Sequence, residues 1–243
     1  MAKILTIAAH PDDIELSCGG TIAKLANEGH SVAVLDCTVG ELGSRGSAEL
    51  RMKEAENASK ILGISERYFL NFEDGNVQPT KENIHTVVQY LRMIRPDILL
   101  IPPKFERHPD HEAVHLISRR AQFLSGVSKI ETLDPISSVV QTPHRAKKMY
   151  SFMQMYDFEP DFFVDITDTF DKKTESILAY SSQFFNPKAQ LTDSEAETVI
   201  SKPEFLHFLE DRAKYFGYKC GFKYAEPFQS IEPIGISSLS QLF

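Results

Sequence analysis

Ile4-Leu5-Thr6-Ile7-Ala8 runs into His10-Pro11-Asp12-Asp13, and Ile98-Leu99-Leu100-Ile101 leads into a loop carrying His108-Pro109-Asp110-His111. Short apolar runs of this kind read as strands buried on both faces. Working outward, further strand-like runs are Ser31–Cys37 and Arg67–Leu70. Between them lie helix-like segments at Cys18–Glu28, Ala48–Leu62 and Lys81–Ile94, and another at His111–Leu124 follows the second cluster. Gly29 and Gly63 fall where helix C-caps belong. Strands alternating with helices predict a mostly parallel, doubly wound α/β sheet of order about 3-2-1-4-5 with helices on both faces. In that order strands 1 and 4 are neighbours, and ligands collect at their carboxyl ends, where the order reverses. The two polar clusters, about a hundred residues apart, are thereby expected face to face.

The second half is less regular. Lys148–Met155 and Phe162–Asp165 read as strands, Asp171–Phe184 and Pro203–Tyr215 as helices. Leu191–Ser201 and the tail from Ala225 read as loop or lid. No linker divides the chain, so residues 1–243 are expected to form one domain. Residues 1–125 are its regular half, and 126–243 a less regular completion with lid and tail.

A net charge of −8 with no basic run makes nucleic acid and anionic membranes poor partners. The three cysteines, Cys18, Cys37 and Cys220, are widely spaced and suggest neither a disulfide framework nor a CxxC zinc site. With no signal-peptide pattern and no apolar run of bilayer length, the expectation is a cytoplasmic protein.

The clusters carry the chemistry. His10, Asp13 and His111 offer two imidazoles and one carboxylate, which bind a metal and leave a position open for water or substrate. Pro11 helps end the strand at His10, and Pro109 suits a helix entry. Asp12 is a spare carboxylate beside the ligands, the natural general base for a metal-activated water. His108 with Asp110 forms a second unit, in which an oriented imidazole donates to a developing oxyanion or leaving group. Taken singly, either cluster also reads as a capped turn, with Asp12 or Asp13 as an N-cap. His115, one turn after His111, is read as an ordinary helix residue.

These residues resemble a family. AHPDD after the first strand, GGTI in the following helix and HPDH in the second cluster are similar to the LmbE-like (PIG-L-type) zinc-dependent N-acetylglucosaminyl deacetylases. Gly40–Gly46, Arg51, Tyr180-Ser181-Ser182-Gln183 and Lys223–Phe228 extend the resemblance over nearly the whole chain. The glycine loop and the Arg107–His111 run look most like the branch acting on N-acetylglucosaminyl malate in bacillithiol biosynthesis. The resemblance implies a Rossmann-like fold and one zinc per chain on His10, Asp13 and His111. It implies Asp12 as general base, and His108 at the oxyanion with Asp110 orienting it. It further implies Arg51 and Asp74 on sugar hydroxyls and a homo-oligomer, relatives often being hexamers. Some relatives carry a tyrosine before the second motif where this chain has Glu106; Tyr180 is a weak substitute.

Other residues are read directly. Arg51, Ala55, Ala58 and Leu62 share one helix face, so Arg51 either pairs, for instance with Glu54, or points into the crevice. Arg45 in the glycine loop and Arg107 before the second cluster are the cations expected to receive an anionic aglycone. The late aromatics, including those of Pro203–Tyr215, read as core or subunit contacts. The expected activity is a zinc amidohydrolase acting on a small acetylated amino sugar. The alternatives are deacetylation of a chito-oligosaccharide and a non-catalytic Rossmann-like module that binds a sugar or nucleotide.

Overall fold

In a computed structural model of the chain, described for residues 1–185 and 198–238, strands and helices alternate through the first half. They are β1 (Lys3–Ala8), α1 (Asp13–Asn27), β2 (Ser31–Asp36), α2 (Ala48–Leu62), β3 (Glu66–Phe69), α3 (Lys81–Ile94), β4 (Ile98–Ile101) and α4 (Pro109–Ser125). The rest comprises β5 (Lys148–Phe152), β6 (Phe162–Asp165), α5 (Phe170–Leu178), α6 (Pro203–Cys220) and β7 (Ala225–Ser230). The seven strands form one sheet in the order β3-β2-β1-β4-β5-β7-β6. The first five are parallel, in the expected order; β7 is antiparallel to both β5 and β6.

Side-chain alternation divides the core in two. Leu5, Ile7, Leu35, Leu99 and Ile101 pack on the face covered by α3 and α4. Ile4, Ala8, Val32, Val34 and Leu100 pack on the opposite face with α1. On α3, Ile84, Val87, Val88, Leu91 and Ile94 make the buried stripe at helical spacing. Each such side chain contributes about 1.5–3 kcal/mol when fully buried.

Helix ends follow local chemistry. Ser47 and Thr80 cap α2 and α3 by accepting from Leu50 N and Asn83 N, and Gly63 ends α2 in the left-handed region. α1 begins at Asp13, earlier than the sequence suggests, and is broken at Cys18 (φ −135°, ψ 20°). The break exposes a second set of amide donors, and the buried carboxylate of Glu226 accepts from Gly20 N (3.0 Å), Thr21 N (2.7 Å) and Lys173 Nζ. A Cβ on Gly20 would lie 2.8 Å from Ile166. Gly20 therefore serves close packing.

Beyond the earlier start of α1, the structure departs from the sequence reading in the second half, where α6 also runs on to Cys220. The tail from Ala225 is strand β7, held in register by Phe228 between Phe152 and Phe162. The helix expected to reach Phe184 ends at Leu178, where residues 181–183 turn back. The strand expected to reach Met155 ends at Phe152, which frees Met153–Met155 to line a crevice. The expected loop at Leu191–Ser201 lies outside the described residues up to position 197, and a turn follows it.

Candidate metal centre and crevice

Thr6 pairs with Leu100, so β1 and β4 end side by side and deliver both polar clusters to one crevice. The crevice has a volume of about 340 Å³ and is lined at its base by His10, Asp12, Asp13, His108 and His111. That size suits a small ligand.

His10 Nδ1 and His111 Nε2 lie 3.3 Å apart, and Asp13 Oδ1 is 3.2 Å from His111 Nε2. Ligand atoms 2.0–2.1 Å from a tetrahedral metal are about 3.3–3.4 Å from one another. Those two separations match a zinc-sized ion, while the His10 Nδ1 contact with the Asp13 carboxylate is longer, 3.7 Å to Oδ2. His108 brings a ring nitrogen within 4.8 Å of those of His10 and His111, but its Nδ1 already accepts from Asp110 N (3.3 Å).

Hydrogen bonds fix which atoms face inward. His10 Nε2 donates to Asp74 Oδ1 at 2.9 Å, with Asp110 Oδ2 at 3.4 Å, which leaves the Nδ1 lone pair towards the ligand cluster. Asp13 Oδ2 accepts from Ala9 N and His10 N, while Oδ1 accepts from Gln154 Nε2 (2.9 Å). Burial alone would raise the Asp13 carboxyl, but the neighbouring His111 and His10 hold it well below the usual carboxylate range. Burial works against a charged His10, yet Asp110, Asp13 and Asp74 raise it well above the ordinary imidazole value. The same acidic field attracts a divalent cation, which would displace that proton.

His108 is the N-cap of α4, and Pro109 supplies the first helical position. Because its Nδ1 accepts a backbone N–H, the ring proton sits on Nε2. Burial and the neighbouring His10 and His111 lower its pKa, so His108 is a neutral donor. Asp12 is 6% exposed, with φ 107°. Its carboxyl is pushed up to about 7 by burial and by Asp13, against the pull of Arg51.

Several expected roles move. The Asp110 carboxylate orients His10 rather than His108, and its oxygens also accept from Gly75 N and Val77 N. What orients His108 is the backbone amide of Asp110. Asp74 lines the crevice, and its oxygens also hold His10 Nε2 and Leu42 N. Arg51 pairs with Asp12 (3.0 Å) and not with Glu54, whose carboxylate accepts from Ser181 and Ser182. Arg45 is buried against the Ser182 carbonyl (2.8 Å), outside the crevice lining. Arg107 is exposed at the crevice mouth. Tyr180 is fully buried and donates to Glu15 behind the site. His115 holds the Pro102 carbonyl, an ordinary helix role.

Residues that sequence reasoning missed complete the crevice. Gln154 follows β5, and its place at a strand's carboxyl end is the signal that was available. Glu106 accepts from Met155 N and Tyr156 N, tying the loop before α4 to the one after β5. Phe205, Phe208 and Leu209 of α6, with Met155, form an apolar wall opposite the ligand cluster. Part of the aromatic surface read as subunit contact is thus spent on the crevice.

The carboxylate–imidazole contacts give a first test. Outer-shell partners of a ligating histidine are worth about 10–100-fold in metal affinity. Asp74→Asn is expected to weaken zinc binding by that factor, measured by competition with a chelator, and to leave the fold intact by circular dichroism. Unchanged affinity would remove Asp74 from the support of His10.

The fold and this cluster define a class: doubly wound α/β proteins with a His/Asp centre at the topological switch point. The family model for PIG-L, the GlcNAc-PI de-N-acetylase, matches residues 5–122. The chain belongs to the PIG-L (LmbE-like) family. It is 29% identical over 234 residues to the diacetylchitobiose deacetylase of Thermococcus kodakarensis, covering 92% of this chain and 81% of that one. It is 28% identical over 222 residues to a probable N-acetyl-α-D-glucosaminyl L-malate deacetylase 2 of Bacillus cereus, covering 85% and 94%. The crystal structure of a conserved protein from Thermus thermophilus superposes with a TM-score of 0.83 at 35% identity, covering 97% of both chains.

Proposed function

We propose that the protein is a zinc-dependent N-deacetylase that removes acetate from an N-acetylglucosamine conjugate, N-acetylglucosaminyl malate being the substrate put forward. The observation that carries the reading is the convergence of His10 Nδ1, Asp13 Oδ1 and His111 Nε2 beside the uncapped carboxylate of Asp12. A divalent ion held there supplies Lewis acidity, polarising the amide carbonyl and bringing a water's pKa towards about 7. Asp12 takes the proton of the attacking water. His108 Nε2–H donates to the oxyanion as the carbonyl carbon becomes tetrahedral. Asp12 returns its proton to the sugar nitrogen as the C–N bond breaks, and acetate and amine leave.

Arg107 supports the malate conjugate. Its guanidinium stands at the mouth of an otherwise acidic site, where a bidentate bond to an aglycone carboxylate gives both affinity and orientation. Arg45, once expected to share this role, is committed to the Ser182 carbonyl. The apolar wall of Phe208, Leu209 and Met155 favours a second reading, a chito-oligosaccharide whose neighbouring ring packs on that surface. Acetate release from N-acetylglucosaminyl malate, N,N'-diacetylchitobiose and N-acetylglucosamine separates the two. Arg107→Ala is expected to lower kcat/KM for the malate conjugate by about 10–100-fold, the worth of a hydrogen bond to a charged group. Neutral substrates should be little affected. Equal losses on all three would withdraw the malate assignment.

No helix among the described residues is long and apolar enough to cross a membrane. A cytoplasmic homo-oligomer belongs to the same proposal. Exposed Phe123, Ile136, Val139 and Val140 supply apolar surface suited to self-association.

A further inference from the structure

The sequence motifs Ala9–Asp13 and Gly40–Gly46 and the lone Arg51 meet at one point, and the meeting is tight. Asp12 sits at φ 107°, ψ −24°, a backbone region that residues other than glycine rarely adopt. Such a conformation costs on the order of 1–3 kcal/mol and persists only where its surroundings over-determine it. Asp12 occupies the N-cap position of α1 without using its side chain as a cap. Arg51 Nη2 donates to Pro11 O (2.8 Å) and to Asp12 Oδ2 (3.0 Å), spanning the strained residue on both sides.

The other edge of the guanidinium is seated in the glycine loop. Nη1 donates to Gly40 O at 3.2 Å. A Cβ on Gly40 would lie 2.2 Å from Arg51 Nη1 and 2.6 Å from Cζ, and one on Gly43 would lie 3.1 Å from Nη1. Two of the three loop glycines thus leave the space that the guanidinium fills. Three of the five N–H donors of Arg51 are spent inside the protein.

We propose that Arg51 is a positioning residue: seated on Gly40 and Gly43, its guanidinium clamps the Pro11–Asp12 turn and aims the Asp12 carboxylate into the crevice. The proposal rests on the reading of Asp12 as general base. It gives Arg51, which also lines the crevice, a task beside any sugar contact, and it explains the glycine loop by the shape of an arginine head. One Asp12 oxygen is held by the clamp, and the other is left to exchange the proton.

The test uses the zinc-loaded full chain with N,N'-diacetylchitobiose as substrate and N-acetylglucosamine as binding probe. Misplacing a reacting group by about 1 Å costs on the order of 10²-fold. Arg51→Ala is expected to lose about that much in kcat, a larger factor than any change in KM or in the Kd for N-acetylglucosamine. Added guanidinium should restore part of the rate in Arg51→Ala and none in Asp12→Asn. Gly40→Ala should reproduce the kcat loss and, apart from the backbone strain of alanine at φ 71°, add little to it in the Arg51→Ala background, because the contact it creates is with Arg51. Arg51→Lys, which keeps charge and length without the fork, covers the case in which Arg51→Ala does not fold and should be only partly active.

A raised KM or weakened N-acetylglucosamine binding with kcat preserved would overturn the proposal in favour of a sugar contact. So would loss of zinc from Arg51→Ala. A crystal structure of Arg51→Lys or Gly40→Ala gives a readout independent of turnover: Asp12 should leave the positive-φ region or swing its carboxylate. Asp12 unchanged in both would overturn the clamp. A wild-type enzyme inactive on every acetylated amino sugar would instead overturn the deacetylase reading, with the clamp still judged by those structures.

Discussion

Asp12→Asn keeps its zinc and loses most of its turnover. The variant is chosen on backbone grounds: asparagine tolerates positive φ better than alanine does, so the strain at φ 107° is not compounded by the substitution. It preserves the shape that Arg51 grips while removing the basic oxygen. Removing a general base costs typically about 10²–10⁴-fold, and a kcat loss in that range is expected, with KM changed far less. Metal content should match wild type, since the proposed ligand atoms belong to His10, Asp13 and His111. Two measurements decide it: zinc per chain by elemental analysis, and acetate release with and without added zinc. Activity restored by excess zinc would make Asp12 a ligand and exchange its role with that of Asp13. Near-normal activity in a fully loaded variant would move the base elsewhere, His108 being the nearest candidate.

That the sequence brings the proposed base and ligands into one crevice, yet does not reveal the contacts around them, has a physical cause. Parallel strands buried on both faces must be apolar along their length, so Ile4–Ala8 and Ile98–Ile101 announce themselves, and the switch point between them follows from topology. The bounds of α2 and α3 came out correctly because Gly63 ends the first in the left-handed region, and the buried stripe of the second is strictly periodic. β7 carries no such signal. Its six residues, Ala225 to Ser230, include Glu, Pro and Gln, and only pairing with β5 and β6 makes them a strand. The contacts of Asp74 and Asp110 with His10 were not legible for a similar reason. A carboxylate sixty-four residues or more from its partner has no local pattern that says which imidazole it will meet. Arg45 and Arg107 looked alike as loop arginines, and only burial separates them: 6% exposed for the first, against a solvent-facing position at the crevice mouth for the second.

His111→Ala produces a metal-free and inactive chain, a larger loss than that of Asp12→Asn. Deleting one of three protein ligands removes a bond to the ion itself, so its cost should exceed the roughly 10–100-fold attached to outer-shell partners such as Asp74. The neighbours cannot make good the deficit. His10 Nε2 is committed to Asp74 and Asp110, and Asp13 Oδ2 to two backbone amides, so each supplies a single inward-facing atom. His108 holds the first turn of α4 through its Nδ1 and would have to leave the helix cap, or swing its Nε2, to substitute. The expected order of zinc affinity is therefore wild type, then Asp74→Asn, then His111→Ala, followed by chelator competition with one indicator on all three proteins. His111→Ala is also expected to be folded, because His111 lies in the first turn of α4 and outside both apolar layers. Full zinc occupancy in a folded His111→Ala would refute the ligand set and point to the other cluster these side chains can form, His10 with Asp74 and Asp110. In that case Asp74→Asn, not His111→Ala, would be the variant that empties the site, and the ranking of the two affinities would invert.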